Sequence, residues 1–383
     1  MNITKKLLCL GVLLVLCLVP ALTLLSALRS PTGWSVQENR ALAGAPDLSP
    51  AALWTGETAA QTEDFLKDHL VGRNTILKLD VWFQMHVLHR AAVNDVVLGS
   101  DVLLPAADIT DYRPTVLAKK AGAMAEGLAA IQAAAEETGG AFCYVLVPEQ
   151  RSALRAFYPD WMDSRAGQYD AIRAAFTAAM AEQNVCLLDL WDVYAAQDDL
   201  TQLYSTVDHH YTLLGAELAY RTVCDALALP FVQPDVRETE QRFVGTYSRK
   251  LYGLSPVSEH FQSDFAAPVP YARWDNGERT DRPMIDASGT DAYYTAYMGG
   301  DIGETIVQTD RPELGKLLIV GDSFTNAFEV LCYRSFGEMR SLDYRHYSEK
   351  TLTEYIQDYQ PDVVLVIRDD ISCLTTGGNG SLE

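Results

Sequence analysis

Lys316-Leu317-Leu318-Ile319-Val320-Gly321-Asp322-Ser323-Phe324 is a short aliphatic run that ends in glycine, aspartate and serine. Bounded by turn residues, it reads as a strand buried on both faces, the kind found in parallel sheets. Gly321 permits a tight turn. The pattern after Ser323 predicts a helix over residues 325–332, so the serine hydroxyl stands between the carboxyl end of a strand and a helix N-terminus. Open α/β sheets bind ligands at that edge. A helix N-terminus also offers free N–H groups and a positive dipole end to a developing oxyanion. The competing reading is local: a serine in this position simply caps the helix.

Working outward, strands and helices alternate. The pattern predicts strands over residues 141–147, 185–190, 316–320, 338–342 and 362–367. Helices are expected over 115–137, 168–182, 213–227, 325–332 and 349–358. This rhythm predicts an α/β fold, a parallel sheet flanked by helices. Residues 96–98 and 102–104 read as a hairpin turned by Gly99-Ser100-Asp101. Residues 229–313 break the rhythm and read as an inserted cap, with a hairpin around 292–298. One amphipathic helix is expected over 63–88, capped by Thr62 and weakened at Gly72. Residues 29–62 read as a linker and the small, polar tail 375–383 as flexible, leaving 63–374 as the folded domain.

Lys5 and Lys6 precede an apolar run from Leu7 to Leu28, broken only by Gly11, Pro20, Thr23 and Ser26. A run of about 20 apolar residues spans a bilayer. Flanking lysines stay in the cytoplasm. No clean small-x-small cleavage site follows. The expectation is a retained single-pass anchor in the cell membrane, N-terminus in the cytoplasm and the body outside, with a cleaved signal segment as the alternative. The formal charge of −21 argues against nucleic acid. It also disfavours a polyanionic substrate. The cysteine spacing fits no zinc motif, and no metal or cofactor is expected.

A second constellation is Ser205-Thr206-Val207-Asp208-His209-His210-Tyr211, directly before the helix expected at 213–227. Asp-x-His places a carboxylate where it can hold an imidazole in one tautomer. Alone it is weak, since a solvated loop or a metal site built with His209 would read alike. Joined to Ser323 it supplies nucleophile, base and orienting acid for acyl transfer.

Several further pieces occur in order: Val36-Gln37-Glu38-Asn39-Arg40-Ala41-Leu42, Asp68-His69 with Arg73, Val147-Pro148-Glu149, Leu203-Tyr204 through Tyr211-Thr212, Gly215-Ala216 and Gly245-Thr246-Tyr247. With Gly321-Asp322-Ser323-Phe324 they make the chain resemble the alginate O-acetylation proteins and the related Asp-His-His-Trp (DHHW) proteins. These form a permuted branch of the SGNH hydrolase superfamily. Tyr211 stands where that family usually has tryptophan. The resemblance implies an SGNH-type domain in which Ser323 is the nucleophile, His210 the base and Asp208 its orienting acid. It also implies an O-acetyltransferase acting on a cell-surface or secreted polysaccharide, with acetyl groups supplied through a multi-pass membrane O-acyltransferase. A polysaccharide acetyl esterase and an inactive polysaccharide-binding protein are the alternatives on the same fold. The usual superfamily asparagine of the oxyanion hole has no counterpart after the matching strand. Arg368, Tyr211 and Gly321 are the candidates for that role or for substrate contact.

Overall fold

The computed structural model describes residues 3–29, 33–38, 40–106 and 111–381. The chain divides into two compact units, residues 1–94 with 248–255, and residues 95–247 with 256–383.

The first unit opens with α1 (Ile3–Arg29), a helix long and apolar enough to cross a membrane, with a mean hydropathy of 2.8. It fits a single-pass anchor. The expected linker is instead structured. Trp34–Ser35 pairs antiparallel with Arg40–Ala41. The helices α2 (Pro50–Thr55) and α3 (Glu57–Asp68) follow. The helix expected over 63–88 is broken, because α3 ends at Asp68 and α4 spans Arg73–His86. Gly72 between them has φ 74°, a left-handed conformation that disfavours a β-carbon, so the chain turns there. Thr62 lies inside α3, where its hydroxyl donates to Thr58 O at 2.6 Å rather than capping a helix.

The motifs of this unit close on each other. Arg40 grips both Asp68 oxygens at 2.7 Å, and Arg73 reaches both Glu38 oxygens at 2.8 Å. The hydrogen bond from Arg40 holds the Asp68 carboxyl down at about 2. Asn39 of the same motif lies outside the described residues.

In the second unit, β1 (Val96–Leu98) and β2 (Leu103–Pro105) form the expected antiparallel hairpin. Then come α5 (Pro114–Glu137), β3 (Ala141–Val147), α6 (Ala166–Glu182), β4 (Leu187–Asp189) and α7 (Leu213–Leu227). The region read as a cap contributes β5 (Val236–Phe243), β6 (Glu259–Asp264), β7 (Tyr271–Asp275), β8 (Glu278–Thr280) and β9 (Glu304–Thr309). The chain finishes with β10 (Lys316–Gly321), α8 (Phe324–Cys332), β11 (Glu338–Leu342), α9 (Leu352–Tyr359) and β12 (Val363–Asp369).

The main sheet runs β8-β7-β9-β11-β10-β12-β3-β4. From β11 to β4 the pairing is parallel, as the aliphatic runs predict. The other three strands join antiparallel. Part of the supposed cap is therefore the far side of the main sheet. The reason lies in β9, whose register against β11 (Ile306 opposite Arg340, Val307 opposite Met339) is a long-range pairing. Local pattern does not encode such pairings. Another part forms a small sheet of β5 and β6 with Asp291–Ala292 beside β5. The hairpin expected around 292–298 is absent: residues Tyr294–Ala296 form a single helical turn.

One face of the main sheet packs against α5, α6 and α9 through Phe142, Tyr144, Leu318, Val320, Val364 and Val366. Alternate residues point the other way, and α8 contacts β10 and β12. The tail is a second correction. Asn379 is buried and accepts from Tyr344 N at 2.6 Å while donating to Asp343 at 3.0 Å, so residues 375–381 are held. Leu382 and Glu383 lie outside the described residues.

Candidate active site

The strand order places the site. β10 is flanked by β12 on one side and β11 on the other, and the chain leaves it for α8 through Asp322 and Ser323. Where neighbouring strands lead their connections to opposite sides, a crevice opens at the carboxyl ends of the strands. Gly321 is required by packing. A β-carbon there would stand 2.2 Å from Thr325 Cγ2 and 2.7 Å from Ile367 O. The missing β-carbon at Gly321 is thus a packing requirement of this turn.

Ser323 does not cap α8. Its backbone is helical (φ −55°, ψ −18°) and its side chain makes no cap bond. Asp322 does that work, accepting from Phe324 N at 3.0 Å. The Ser323 hydroxyl instead meets His210 Nε2 at 2.8 Å. The N–H groups of Phe324, Thr325 and Asn326 are taken by Asp322 and by Ser323 O, so the free donors expected just inside this helix are occupied.

His210 is held from every side. Its Nδ1 meets Asp208 Oδ1 at 2.6 Å. The Tyr294 ring stacks on it with centroids 3.6 Å apart and planes 5° from parallel, and Phe324 lies 5.0 Å away. With Asp208 ionised, Nδ1 carries the proton and Nε2 is left to accept from Ser323. Burial, and then the charge of His209, push the His210 pKa down to about 4. The imidazole is therefore neutral at pH 7, as a base must be.

Asp208 is fully buried yet ionised. Burial alone would push it up. Against that it accepts from His209 N at 2.8 Å, His210 N at 3.3 Å and Thr246 N at 2.5 Å, as well as from both imidazoles. The His209 charge and these donors hold its pKa well below the usual carboxylate range. The approach of Thr246 depends on Gly245, where a β-carbon would lie 2.3 Å from Val207 O and 2.7 Å from Asp208 Cβ. This is the physical content of the Gly-Thr-Tyr motif. The loop is fixed from beneath as well: Glu259 accepts from Ser205 Oγ and Thr206 N, both at 2.7 Å. Thr212 caps α7 through Gly215 N at 3.2 Å.

Tyr211 and Arg368 point elsewhere. The Tyr211 hydroxyl donates to Phe324 O, tying the two loops together. Arg368 is buried and donates to Thr375 O at 3.1 Å. Among the described hydrogen bonds, neither side chain meets Ser323. Sequence reasoning missed Tyr294, which lies in a segment without a motif. It also missed an acidic rim of Glu149, Asp322 and Asp370. Burial comes first among the causes that raise them, to about 7, 6 and 8 respectively, and the charge of Asp369 adds to it.

Asp208, His209 and His210 place ligand atoms within 4.8 Å of one another, as do Asp301, Asp343 and His346. In the first set the donors are already committed: Nε2 of His210 to Ser323, and both Asp208 oxygens to N–H groups. In the second, Arg345 reaches Asp343 at 2.6 Å and Asp301 at 3.2 Å.

Sheet order, strand-end serine and histidine loop together define an SGNH hydrolase-like α/β domain. Residues 96–267 match the family described as ALGX, the SGNH hydrolase-like domain of acetyltransferase AlgX. The chain is thus similar to the AlgX-type SGNH domains and to the DHHW proteins, as its motifs indicated. Bacillus cereus PatB1, in its structure with a sulfonyl adduct, superposes with a TM-score of 0.61 at 17% identity, covering 73% of this chain and 95% of that one. A DHHW family protein from Eubacterium siraeum gives a TM-score of 0.56 at 20% identity, covering 75% and 96%. At these identities the likeness establishes the fold. Among curated proteins, none matches the chain.

Proposed function

We propose that the protein is a membrane-anchored O-acetyltransferase whose domain faces outward and acetylates a polysaccharide at the cell surface. The observation that carries this reading is Ser323 Oγ at 2.8 Å from His210 Nε2, with Asp208 on the far nitrogen. Ser323 attacks the carbonyl carbon of an acetyl donor while His210 Nε2 takes the hydroxyl proton. The tetrahedral intermediate collapses, the leaving group takes that proton, and Ser323 carries the acetyl ester. A sugar hydroxyl then loses its proton to His210 and attacks the ester, and the proton returns to Ser323. Asp208 stabilises the transient imidazolium without taking its proton.

The family name, acetyltransferase AlgX, supports transfer over hydrolysis. The charge of −21 favours a neutral or amine-bearing polymer over a uronic acid polymer. A domain outside the membrane cannot reach cytoplasmic acetyl-CoA. The resemblance to alginate O-acetylation proteins supports a multi-pass O-acyltransferase as the source of acetyl groups.

PatB1 has been solved with a sulfonyl adduct, and the same chemistry provides the test. A sulfonyl fluoride should add to the full chain in detergent, and peptide mass spectrometry should place the adduct on Ser323. Labelling that persists in Ser323→Ala refutes the nucleophile. A chromogenic acetyl ester offered with a neutral oligosaccharide should yield acetylated sugar. Free acetate as the only product would make the protein an esterase.

A further inference from the structure

Helix α4 has two apolar faces, and only one of them is covered. Leu77, Val81 and Met85 turn inward, with Val81 2% exposed. On the other side Ile76, Leu79, Trp82, Phe83 and Val87 are 45–60% exposed. At 100° per residue these five fall within one arc opposite Val81. Soluble surfaces scatter such residues singly. A contiguous stripe marks an interaction site. 

The end of α1 indicates what covers it. Thr23 is 3% and Ala27 0% exposed, although α1 is otherwise bare. Thr23 Oγ1 accepts from Val71 N at 3.3 Å, so the turn that starts α4 touches α1 two turns before its end. At that level the other side of α1 still presents Leu24, Leu25 and Leu28, each at least 52% exposed. Those leucines need hydrocarbon around them if α1 crosses a bilayer. A helix of 27 residues is about 40 Å long, and the hydrocarbon core is about 30 Å thick. The last turns of α1 therefore sit at the boundary between lipid and water, and α4 begins there.

Charge agrees. The first unit beyond α1's leading lysines carries eight basic and seven acidic side chains, whereas the second unit carries 20 and 44. An anionic lipid surface repels the second unit strongly and the first hardly at all. Tryptophan at position 82 is also a residue favoured where hydrocarbon meets headgroups.

We propose that the exposed face of α4 lies in the headgroup region of the bilayer that α1 crosses, its apolar side chains in contact with lipid. This makes α4 an interfacial helix that holds the first unit flat on the membrane. The proposal rests on the anchor reading of α1. Its test therefore measures α1 and α4 separately. Photoreactive benzoylphenylalanine is placed at Leu79, at Phe83, at Leu14 within α1 and at Glu240 of the second unit, in the full chain. The protein is reconstituted into phosphatidylcholine and phosphatidylglycerol vesicles, irradiated and weighed by mass spectrometry. Lipid adducts at 79 and 83 should match those at 14 and exceed those at 240 by roughly tenfold. Adducts at 14 without adducts at 79 and 83 overturn the proposal and leave the anchor standing. Absence at all of these positions overturns both. Crosslinks from 79 to a second polypeptide instead of lipid assign the face to a protein partner and refute the lipid reading.

Discussion

The loop that carries Asp208 and the turn that carries Asp370 each bury an aspartate beside the carboxyl end of the sheet, the two residues 0% and 2% exposed. Asp208 stays ionised, because three backbone N–H groups and two imidazoles point at it. Asp370 accepts from Glu149 N at 3.0 Å and faces Asp369 and Glu149, and burial pushes it up to about 8. Equal burial thus gives opposite charge states. The number of donors aimed at a carboxylate decides which it adopts. On the proposed mechanism the first aspartate orients a base, and the second keeps a proton as part of the rim.

Four changes would break or sharpen this contrast. The largest effect is expected from Asp208→Asn, which offers His210 Nδ1 no charge and permits the wrong tautomer. The rate of acetyl transfer should fall by about 10³–10⁴ with the fold intact by circular dichroism. A smaller loss would show that burial and stacking alone orient the ring.

Gly245→Ala comes next. The added methyl would strike Val207 O and Asp208 Cβ and push Thr246 N away from the carboxylate. Stability should fall by roughly 1–3 kcal/mol in denaturant titration. Activity should fall about 10²-fold, as misplacement by about 1 Å costs.

Tyr294→Leu removes the ring stacked on His210. Aromatic stacking is worth about 0.5–1.5 kcal/mol, so a drop of roughly tenfold in kcat with KM nearly constant is expected. An unchanged kcat would leave Tyr294 a packing residue only.

The smallest effect concerns pH. In the fold Glu149 and Asp370 keep their protons up to about 7 and 8, whereas unfolded carboxyls lose theirs near 4. Their contribution is full below pH 4 and is lost as pH rises through 7 to 8. His210 works the other way: the fold holds it neutral down to about 4, while the unfolded chain takes a proton below 6.5, so stability drops as pH falls through that window. Thermal unfolding should therefore peak in mildly acidic buffer. Asp370→Asn, neutral at every pH, should flatten the alkaline decline. An unaltered slope would mean Asp370 is charged after all.

Much of the site was legible because its parts are local. An aliphatic run ending in Gly-Asp-Ser fixes a strand, a turn and a helix start within nine residues. Asp-x-His before a helix with Thr212 at its cap is likewise written in adjacent positions. Tyr294 and Asp370 were not legible as site residues. Nothing near either one reports that the chain will bring it to His210 or to Glu149.

By itself, the amino-acid order determined the apolar α1, the parallel strands and the helices between them, and singled out Ser323, His210 and Asp208 as candidates. Each depends on side-chain periodicity or on turn chemistry within a few residues. Tertiary structure alone decided that β7, β8 and β9 extend the sheet, that Tyr211 and Arg368 bond to Phe324 O and Thr375 O, and which buried acids keep their protons. Strand pairing between distant segments and the electrostatics of a buried edge arise from atoms far apart in the chain, where no local pattern reaches.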